Sequence, residues 1–373
     1  MNTAYSLSNS SRNNCSVFDS ERYVVVALVS ASSASLSFLA CTAVIFLIVS
    51  LRKYIFFVQR LILYLCICAL LNSFAIALRF QQVKDLPSYT YQNSESLHVL
   101  CVITAFIDQT TAWAETIAIC CITFNLLMTA VFNKDTERFE IVYVALIVIL
   151  PLTFNWIPFL HNAYGEAGAW CWIKNIDDNC KPFSFGSYAV LFLWYIPSTT
   201  ILVIVILVYA FIVIWVTRKK QIWTGKLDLE TERKRTTMQR EVLPLMLYPL
   251  GFLILNLFPF INRIHDTIVI NEPSYPLWML HAIVSPLQGG YIAVIYTLDK
   301  DTRKRLNCRR FKAALFHKEP TISEYPTERG TISDSLPPSK GNVRIVTVAK
   351  ESSSLYGSTD TNHQINSTEK LRI

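Results

Sequence analysis

The stretch LHVLCVITAFIDQTTAWAETIAICCITFNLLMTAVF, residues 97–132, decides the fold of this chain. It is mostly apolar, and it is longer than the roughly 20 residues that a helix needs to cross the hydrocarbon core of a bilayer. Cys101, Asp108 and Glu115 follow one another at seven-residue intervals, close to two helical turns, so their side chains share one face of a helix. Charged groups within a bilayer face the interior of a helix bundle. The stretch therefore predicts a membrane helix with other helices packed around it.

Six further apolar blocks accompany this stretch. Only 16% of the 373 residues are charged and 52% are hydrophobic, whereas soluble domains contain about 25% charged residues. The predicted spans are residues 24–51, 61–80, 97–132, 139–160, 186–216, 241–265 and 276–298. We expect an all-α membrane protein, a bundle of seven transmembrane helices. The first block is too long for a cleaved signal peptide and follows a polar segment, so it is interpreted as the first span.

The distribution of Lys and Arg predicts which ends of the spans face the cytosol. With the N-terminus outside, the inner connections and the start of the tail hold 21 Lys and Arg residues, and the outer segments hold five. Basic residues concentrate on the cytosolic side of membrane proteins. We expect a multi-pass plasma-membrane protein with an extracellular N-terminus and a cytoplasmic C-terminus. Its net charge of +7 would then face anionic lipid headgroups, and it gives no other support for nucleic-acid binding.

The chain divides into four predicted parts. Residues 1–22 form an extracellular segment, and residues 23–298 form the seven-span domain. Residues 299–318 combine a few apolar positions with many basic ones, which predicts an amphipathic eighth helix on the inner leaflet. Residues 319–373 are rich in Ser, Thr and Pro, which predicts a disordered cytoplasmic tail that offers hydroxyl groups to kinases.

Three residues outside the spans are candidate modification sites. Asn9 and Asn14 each begin an Asn-x-Ser sequon in the outer segment, where glycosylation takes place. Cys308 lies in the basic segment after the last span, and a palmitoyl chain there would anchor the segment to the inner leaflet.

Five of the ten cysteines lie well within the spans, where a thiol acts as a small apolar group. Cys101 and Cys171 lie on the predicted oxidising side, and a disulfide between them would tie the second outer loop to the third span. Cys15 and Cys180 lie on the same side, either as a second disulfide or as free thiols.

Residues near the predicted disulfide are candidates for a ligand pocket. Trp170 and Trp172 flank Cys171, and they either anchor the loop at the membrane interface or cap a cavity. Asp108 would lie roughly 10 Å deeper than Cys101 along the helix. The candidate pocket residues are Asp108, Trp170, Trp172 and His281.

Glu115 would lie a further two turns into the bundle, within a buried polar network. The alternative for both Asp108 and Glu115 is a purely structural role, in which they bond to polar neighbours such as Asn72, Gln109 or His281.

The sixth and seventh spans contain residues that interrupt or loosen a helix. Pro249 removes a backbone hydrogen bond in the middle of the sixth span, and Gly251 follows it. Together they predict a hinge, with a static kink as the alternative. In the seventh span, Gln288 precedes Gly289, and glycine permits close packing between helices.

Seven spans with a cystine between the third span and the second outer loop resemble a G-protein-coupled receptor. The rhodopsin-like signatures are missing, because no acidic-Arg-Tyr triplet follows the third span and no Asn-Pro-x-x-Tyr ends the seventh. LQGGYIAVIY, residues 287–296, resembles the seventh-helix motif of secretin-like receptors, and LMLYPLGF, residues 245–252, resembles their sixth-helix hinge. The matching residues are Arg60, Gln288, Gly289 and Tyr296. Together with Glu115, Pro249 and Gly251 they are the candidates for an activation network and hinge, although Glu115 lies too far out to replace the third-helix Glu of secretin-like receptors.

WCWIK at 170–174, with LHAIVSPLQGG at 280–290, brings the chain nearer to the slime-mould cyclic-AMP receptors and their animal orphan relatives. The short N-terminal segment is similar to theirs. Tyr64 stands where secretin-like receptors have a second-helix His, and Ile122 lies where they have a third-helix Glu, so their polar lock is expected to be built differently here.

The resemblance implies a receptor that carries the signal of an unknown extracellular ligand to a heterotrimeric G protein at its cytosolic loops and eighth helix. Arrestin and kinases are the expected partners of the tail. The alternative is a seven-helix channel or transporter that is not coupled to G protein, although no internal repeat supports it. A seven-helix photoreceptor or light-driven pump is a second alternative, but such proteins hold retinal on a Lys of the seventh span, and this span contains none. No motif for catalysis, a metal or a cofactor is evident, so we expect no enzyme.

Overall fold

Seven long helices are present in the part of the chain that the computed structural model describes, residues 20–78, 95–167, 170–174, 181, 183–223, 242–268, 274–299 and 302–303. Four of them are continuous: α1 (Ser20–Ser50), α2 (Phe57–Leu78), α3 (Glu95–Ala130) and α4 (Glu140–Asn155). The sixth, α6 (Leu243–Ile268), is also continuous although it contains Pro249 and Pro259. All seven are long and apolar enough to cross a membrane, which confirms the predicted spans.

The fifth and seventh helices each change geometry part of the way along. Helix α5 consists of Ser184–Val190, a π-helical turn at Leu191–Tyr195, and Ile196–Trp223. Helix α7 consists of Tyr275–Val284, a 3-10 turn at Ser285–Leu287, and Gln288–Leu298. Such turns inside long helices often mark functional sites.

Helix α3 lies at the centre of the bundle. It contacts α2, α4, α5, α6 and the loop between α4 and α5. Within its membrane-length window, 72% of the residues are buried, against 17% for α5. The position of α3 explains how it can carry Asp108 and Glu115, because its polar side chains point at other helices rather than at lipid.

The outer surface of the bundle is apolar. Leu39, Ile141 and Leu207 are each more than 60% exposed, as expected for side chains that contact lipid. Lipid tails are as apolar as leucine, so burial of apolar area does not hold these helices together; close packing and hydrogen bonds between helices do so instead.

One such close contact joins α1 to α7. A Cβ atom added at Gly289 would lie 2.5 Å from the sulfur of Cys41, so only glycine lets the two helices approach this far. Beside it, the hydroxyl of Ser37 donates to the carbonyl of Pro286 and accepts a hydrogen bond from the backbone N–H of Gly290 at 3.2 Å. The serine thus stands between a carbonyl and an N–H that an uninterrupted helix would pair directly.

A short hairpin, which the sequence did not predict, covers one end of the bundle. Strands β1 (Tyr164–Glu166) and β2 (Cys171–Ile173) pair antiparallel, with Glu166 opposite Cys171. A disulfide joins Cys171 to Cys101 of α3, as predicted. We call this end of the bundle the disulfide end, and the other end, where α1 leads into α2, the opposite end.

Several predictions concern residues outside the described part of the chain. These are the sequons at Asn9 and Asn14, the Cys15–Cys180 pair, the segment 304–318 with Cys308, most of the connection 217–240 and the tail 319–373. All of the described residues belong to one compact unit, Met1–Pro320.

Candidate ligand-binding site

A cavity of about 420 Å³ lies among the helices beneath the hairpin. All four candidate pocket residues, Asp108, Trp170, Trp172 and His281, line it, together with Glu115 and Gln288. Its volume falls in the range of pockets that hold small organic molecules, roughly 300–1,000 Å³.

The hairpin forms the roof of this cavity. Trp172 is 8% exposed, and its indole N–H donates to the side-chain oxygen of Gln109 on α3. The hydroxyl of Tyr164 donates to the carbonyl of Asn155 at 2.6 Å. Burial raises the pKa of Tyr164, so the phenol remains a donor at neutral pH. The roof is therefore fastened to α3 and α4 as well as by the disulfide.

Trp170 extends the roof toward α7. Its ring stacks on that of Trp278, with centroids 4.9 Å apart and planes 23° apart, and lies 5.2 Å from the ring of His281. Tyr23 of α1 contacts the other side of this group, with its ring 6.3 Å from that of Trp278. The aromatic contacts join the loop to α1 and α7 at the mouth of the cavity.

Arg263 of α6 is a cavity residue that sequence reasoning missed. Its guanidinium carbon lies 5.1 Å from the ring centroid of Trp170 and 5.2 Å from that of Trp172. Cation–π contacts of this kind are each worth about 0.5–2 kcal/mol. A basic residue near the end of a span looks like an interfacial anchor, and the pair of tryptophans was the available signal that it would point inward.

The side chain of Asp108, on α3, contacts α2. The side-chain amide of Asn72 donates to its carboxylate at 3.3 Å and to the hydroxyl of Thr111 at 3.1 Å. One polar contact between α2 and α3 thus involves a residue that also faces the cavity. Among the described residues, no group of three His, Cys, Asp or Glu side chains could hold a metal ion.

Glu115 is 4% exposed and also lines the cavity. Sequence reasoning placed it in a buried polar network. Within the described part of the chain its carboxyl group has neither a hydrogen bond nor an ion pair, and it faces the cavity instead. It lies fourteen residues beyond Cys101, or about 21 Å farther along the helix.

The π-helical turn of α5 contributes one wall. It exposes the carbonyl of Leu193, which accepts a hydrogen bond from the indole N–H of Trp113 on α3 at 3.1 Å. Trp194 and Tyr195, both within the turn, line the cavity, and the Trp194 ring stands edge-on to Trp113 at 5.4 Å. The altered helical geometry thus presents two adjacent aromatic rings to the cavity.

The predicted hinge of α6 packs directly against α7. A Cβ atom at Gly251 would lie 1.4 Å from the Tyr291 ring, so the glycine makes room for that ring. The hydroxyl of Tyr291 donates to the carbonyl of Leu247 at 2.9 Å. Pro249 lies between these two contacts, outside the cavity lining.

Arg60 lies far from the cavity, at the opposite end. Its guanidinium binds both carboxylate oxygens of Glu140 at the start of α4, at 2.6 and 2.8 Å, and one oxygen of Glu137 at 2.9 Å. The hydroxyl of Tyr64, one turn farther along α2, also donates to Glu140, at 2.6 Å. The sequence did not predict this role of Glu140, because a Glu at the start of a span is common and does not by itself indicate a partner on another helix.

Tyr296 belongs to a second polar group at this end. The ammonium of Lys53, which is 6% exposed, donates to the hydroxyl of Thr302 at 2.6 Å and lies 3.5 Å from the carboxylate of Asp299. It also lies 5.3 Å from the centroid of the Tyr296 ring. The turn between α1 and α2 is thus tied to the end of α7.

The fold is that of a seven-helix membrane receptor. Squid rhodopsin is similar in structure, with a TM-score of 0.59 and 11% sequence identity over 82% of this chain and 89% of that chain. At this identity the likeness concerns the fold alone.

Residues 17–318 match the family described as slime mold cyclic AMP receptor. The chain belongs to this family, which confirms the resemblance seen in its motifs, and it is accordingly a multi-pass membrane protein and a seven-helix receptor. No curated protein matches it in sequence.

Proposed function

We propose that this chain binds a small extracellular ligand in the cavity beneath the hairpin and transmits the signal to a heterotrimeric G protein at the opposite end. The distribution of Lys and Arg supports this orientation, with the disulfide end outside the cell. The observation that carries the proposal is the cavity itself, which is roofed by a disulfide-linked loop and lined by α3, α6 and α7.

Movement of α6 would connect the two ends. Arg263, Pro259 and Phe252 of α6 all line the cavity, and the same helix continues past Pro249 to Leu243. A ligand changes the conformation only by binding one form more tightly than the other. Contacts that differ at Arg263 and Phe252 would shift the lower part of α6 relative to Tyr291 and open the opposite end to the G protein.

The family is named for cyclic AMP, but we do not extend that ligand to this chain. Cyclic AMP carries a phosphodiester anion, whereas two carboxyl groups, those of Asp108 and Glu115, and one guanidinium group, that of Arg263, line the cavity. The charge of the lining thus does not select an anion. Arrestin and kinases acting on residues 319–373 remain proposed partners.

The test uses the full chain in cells that report dissociation of heterotrimeric G protein. A chemical library that includes cyclic AMP should contain a compound that causes dissociation, and Asp108→Ala should lower its potency at least tenfold with surface expression unchanged. Full response in that variant would remove Asp108 from the site. Ion currents across liposomes that contain only this chain would favour the channel alternative instead.

A further inference from the structure

The deep end of the cavity contains a carboxyl group with no described partner. Glu115 is 4% exposed and faces the cavity. A buried carboxylate is costly unless a counter-charge or hydrogen-bond donors accompany it. Such a carboxyl group at the wall of a cavity indicates that a ligand supplies the counter-charge or the hydrogen-bond donors.

The neighbouring amides do not meet this need. Asn72 donates its side-chain N–H groups to Asp108 and Thr111, and Asn256 donates to the carbonyl of Phe252 at 2.9 Å. Both residues line the same cavity as Glu115. The donors of Asn72 and one donor of Asn256 are thus directed to other acceptors, and Glu115 keeps its capacity for an incoming cation.

A second observation points to a ligand independently. Gln109 is 1% exposed and lines the cavity; its oxygen accepts from Trp172, whereas its side-chain nitrogen has no hydrogen-bond partner among the described residues. The same is true of the side-chain nitrogen of Gln288, another cavity residue. Buried N–H donors normally have a hydrogen-bond acceptor, so we expect a ligand with a polar acceptor atom to bind these two side-chain amides.

The guanidinium of Arg263 belongs to the roof of the cavity, where it contacts Trp170 and Trp172. The indole N–H of Trp172 donates to Gln109, which lies six residues before Glu115, or about 9 Å along α3. Glu115 therefore lies below the level at which the roof meets α3. The cavity walls also include Trp194, Tyr195 and Phe252, whose rings favour a planar apolar body and tolerate a positive charge.

We propose that the ligand is a small organic amine whose ammonium group binds Glu115 and whose planar apolar part lies among the aromatic side chains of the cavity. This inference rests on the proposed function, because it names the chemical class of the receptor's ligand. A charge-assisted hydrogen bond to a desolvated carboxylate strengthens binding by roughly tenfold or more relative to a neutral donor.

The experiment measures binding to the purified full-length chain at pH 7 and needs no G protein. Three pairs of probes share a ring and differ in one group: tryptamine and tryptophol, phenethylamine and 2-phenylethanol, tyramine and tyrosol. We expect at least one amine to bind about tenfold more tightly than its alcohol. Glu115→Gln should reduce that ratio to about one, and Glu21→Gln, a change at an exposed carboxylate on α1, should leave it unchanged.

Thermal unfolding without ligand provides the folding control, since Glu115→Gln replaces a buried acid by a neutral amide of the same size and should not lower the unfolding temperature. Equal affinities within every pair, no binding by any amine at 5 mM, or an undiminished preference in Glu115→Gln would each overturn the proposal. G-protein dissociation by a compound of another class would still support the receptor function. The amine hypothesis can therefore fail while the proposed coupling to G protein stands.

Discussion

At the scale of single residues, the ends of the bundle are held together by charged side chains that contact residues distant in sequence. Arg60 binds Glu140, and Lys53 binds Thr302 and Asp299. At the disulfide end Arg263 contacts two indole rings. Each contact joins two different elements, so we expect the loss of one to alter how those elements pack.

The Arg60–Glu140 pair gives a prediction at this scale. Both side chains are about one-fifth exposed, at 22% and 23%, and the guanidinium binds both carboxylate oxygens, so the pair should be stronger than an ordinary surface salt bridge. We expect Arg60→Ala and Glu140→Gln each to destabilise the receptor, with a coupling energy of about 1 kcal/mol in a double-mutant cycle. The measurement is thermal or denaturant unfolding of the solubilised protein.

Tyr64→Phe is the matched control for this cycle, because it removes only the hydroxyl that donates to Glu140 and should cost less than either charge change. If the two charge changes are strictly additive, the pair contributes no coupling and does not hold α2 to α4.

At the scale of elements, α7 is kept close to α1 by glycine and serine rather than by large apolar side chains. The 3-10 turn at Ser285–Leu287 interrupts α7, and the hydroxyl of Ser37 bonds the carbonyl of Pro286 within the turn and the N–H of Gly290 after it. These two backbone groups are thereby satisfied within the bundle, as they must be where no water is available.

Adjacent glycines in α7 give a prediction with its own control. A Cβ atom at Gly289 would lie 2.5 Å from the Cys41 sulfur and 3.1 Å from the Ser37 carbonyl, whereas at Gly290 the nearest atom lies at 3.7 Å. We expect Gly289→Ala to destabilise the protein by about 1–3 kcal/mol through overpacking, and Gly290→Ala to change it by less than about 0.5 kcal/mol.

Unfolding curves of the two glycine variants, recorded side by side, make this comparison. Equal effects of the two substitutions would mean that helix propensity, and not the contact between α1 and α7, governs this region.

At the scale of the whole molecule, the bundle has two chemically different ends. The disulfide end carries the hairpin and the mouth of the cavity, and the opposite end carries the Arg60 and Lys53 groups. The Lys and Arg residues between spans predict that the opposite end faces the cytosol. The proposed signal therefore travels along α3, α6 and α7 from one end to the other.

This orientation is open to direct measurement. In sealed cells, added protease should digest an epitope placed before Met1 and spare one placed after Ile373, and permeabilised cells should lose both. Glycosidase should reduce the apparent mass of the wild type and not that of a variant with Asn9→Gln and Asn14→Gln. Digestion of the C-terminal epitope in sealed cells would reverse the topology and with it the proposed direction of signalling.

The sequence predicted the spans well and the site only in part. The sequence predicted four pocket residues, and all of them line one cavity: Asp108, Trp170, Trp172 and His281. It did not predict the roles of Arg263 and Glu140, because a charged residue at the end of a span resembles an interfacial anchor whether or not its side chain points into the bundle. The network expected around Glu115 is not found among the described residues.

Composition along the chain was enough to establish seven membrane helices and their order, because crossing a bilayer is a local requirement that about 20 consecutive residues meet or fail together. Which side chains meet was decided only by the packing of helices distant in sequence. The rotation of each helix and the few positions where glycine permits close approach determine whether a given charge faces lipid, a partner or an open cavity. The bidentate pairing of Arg60 with Glu140 follows from that packing, as does the lack of a bonded partner for Glu115 among the described residues.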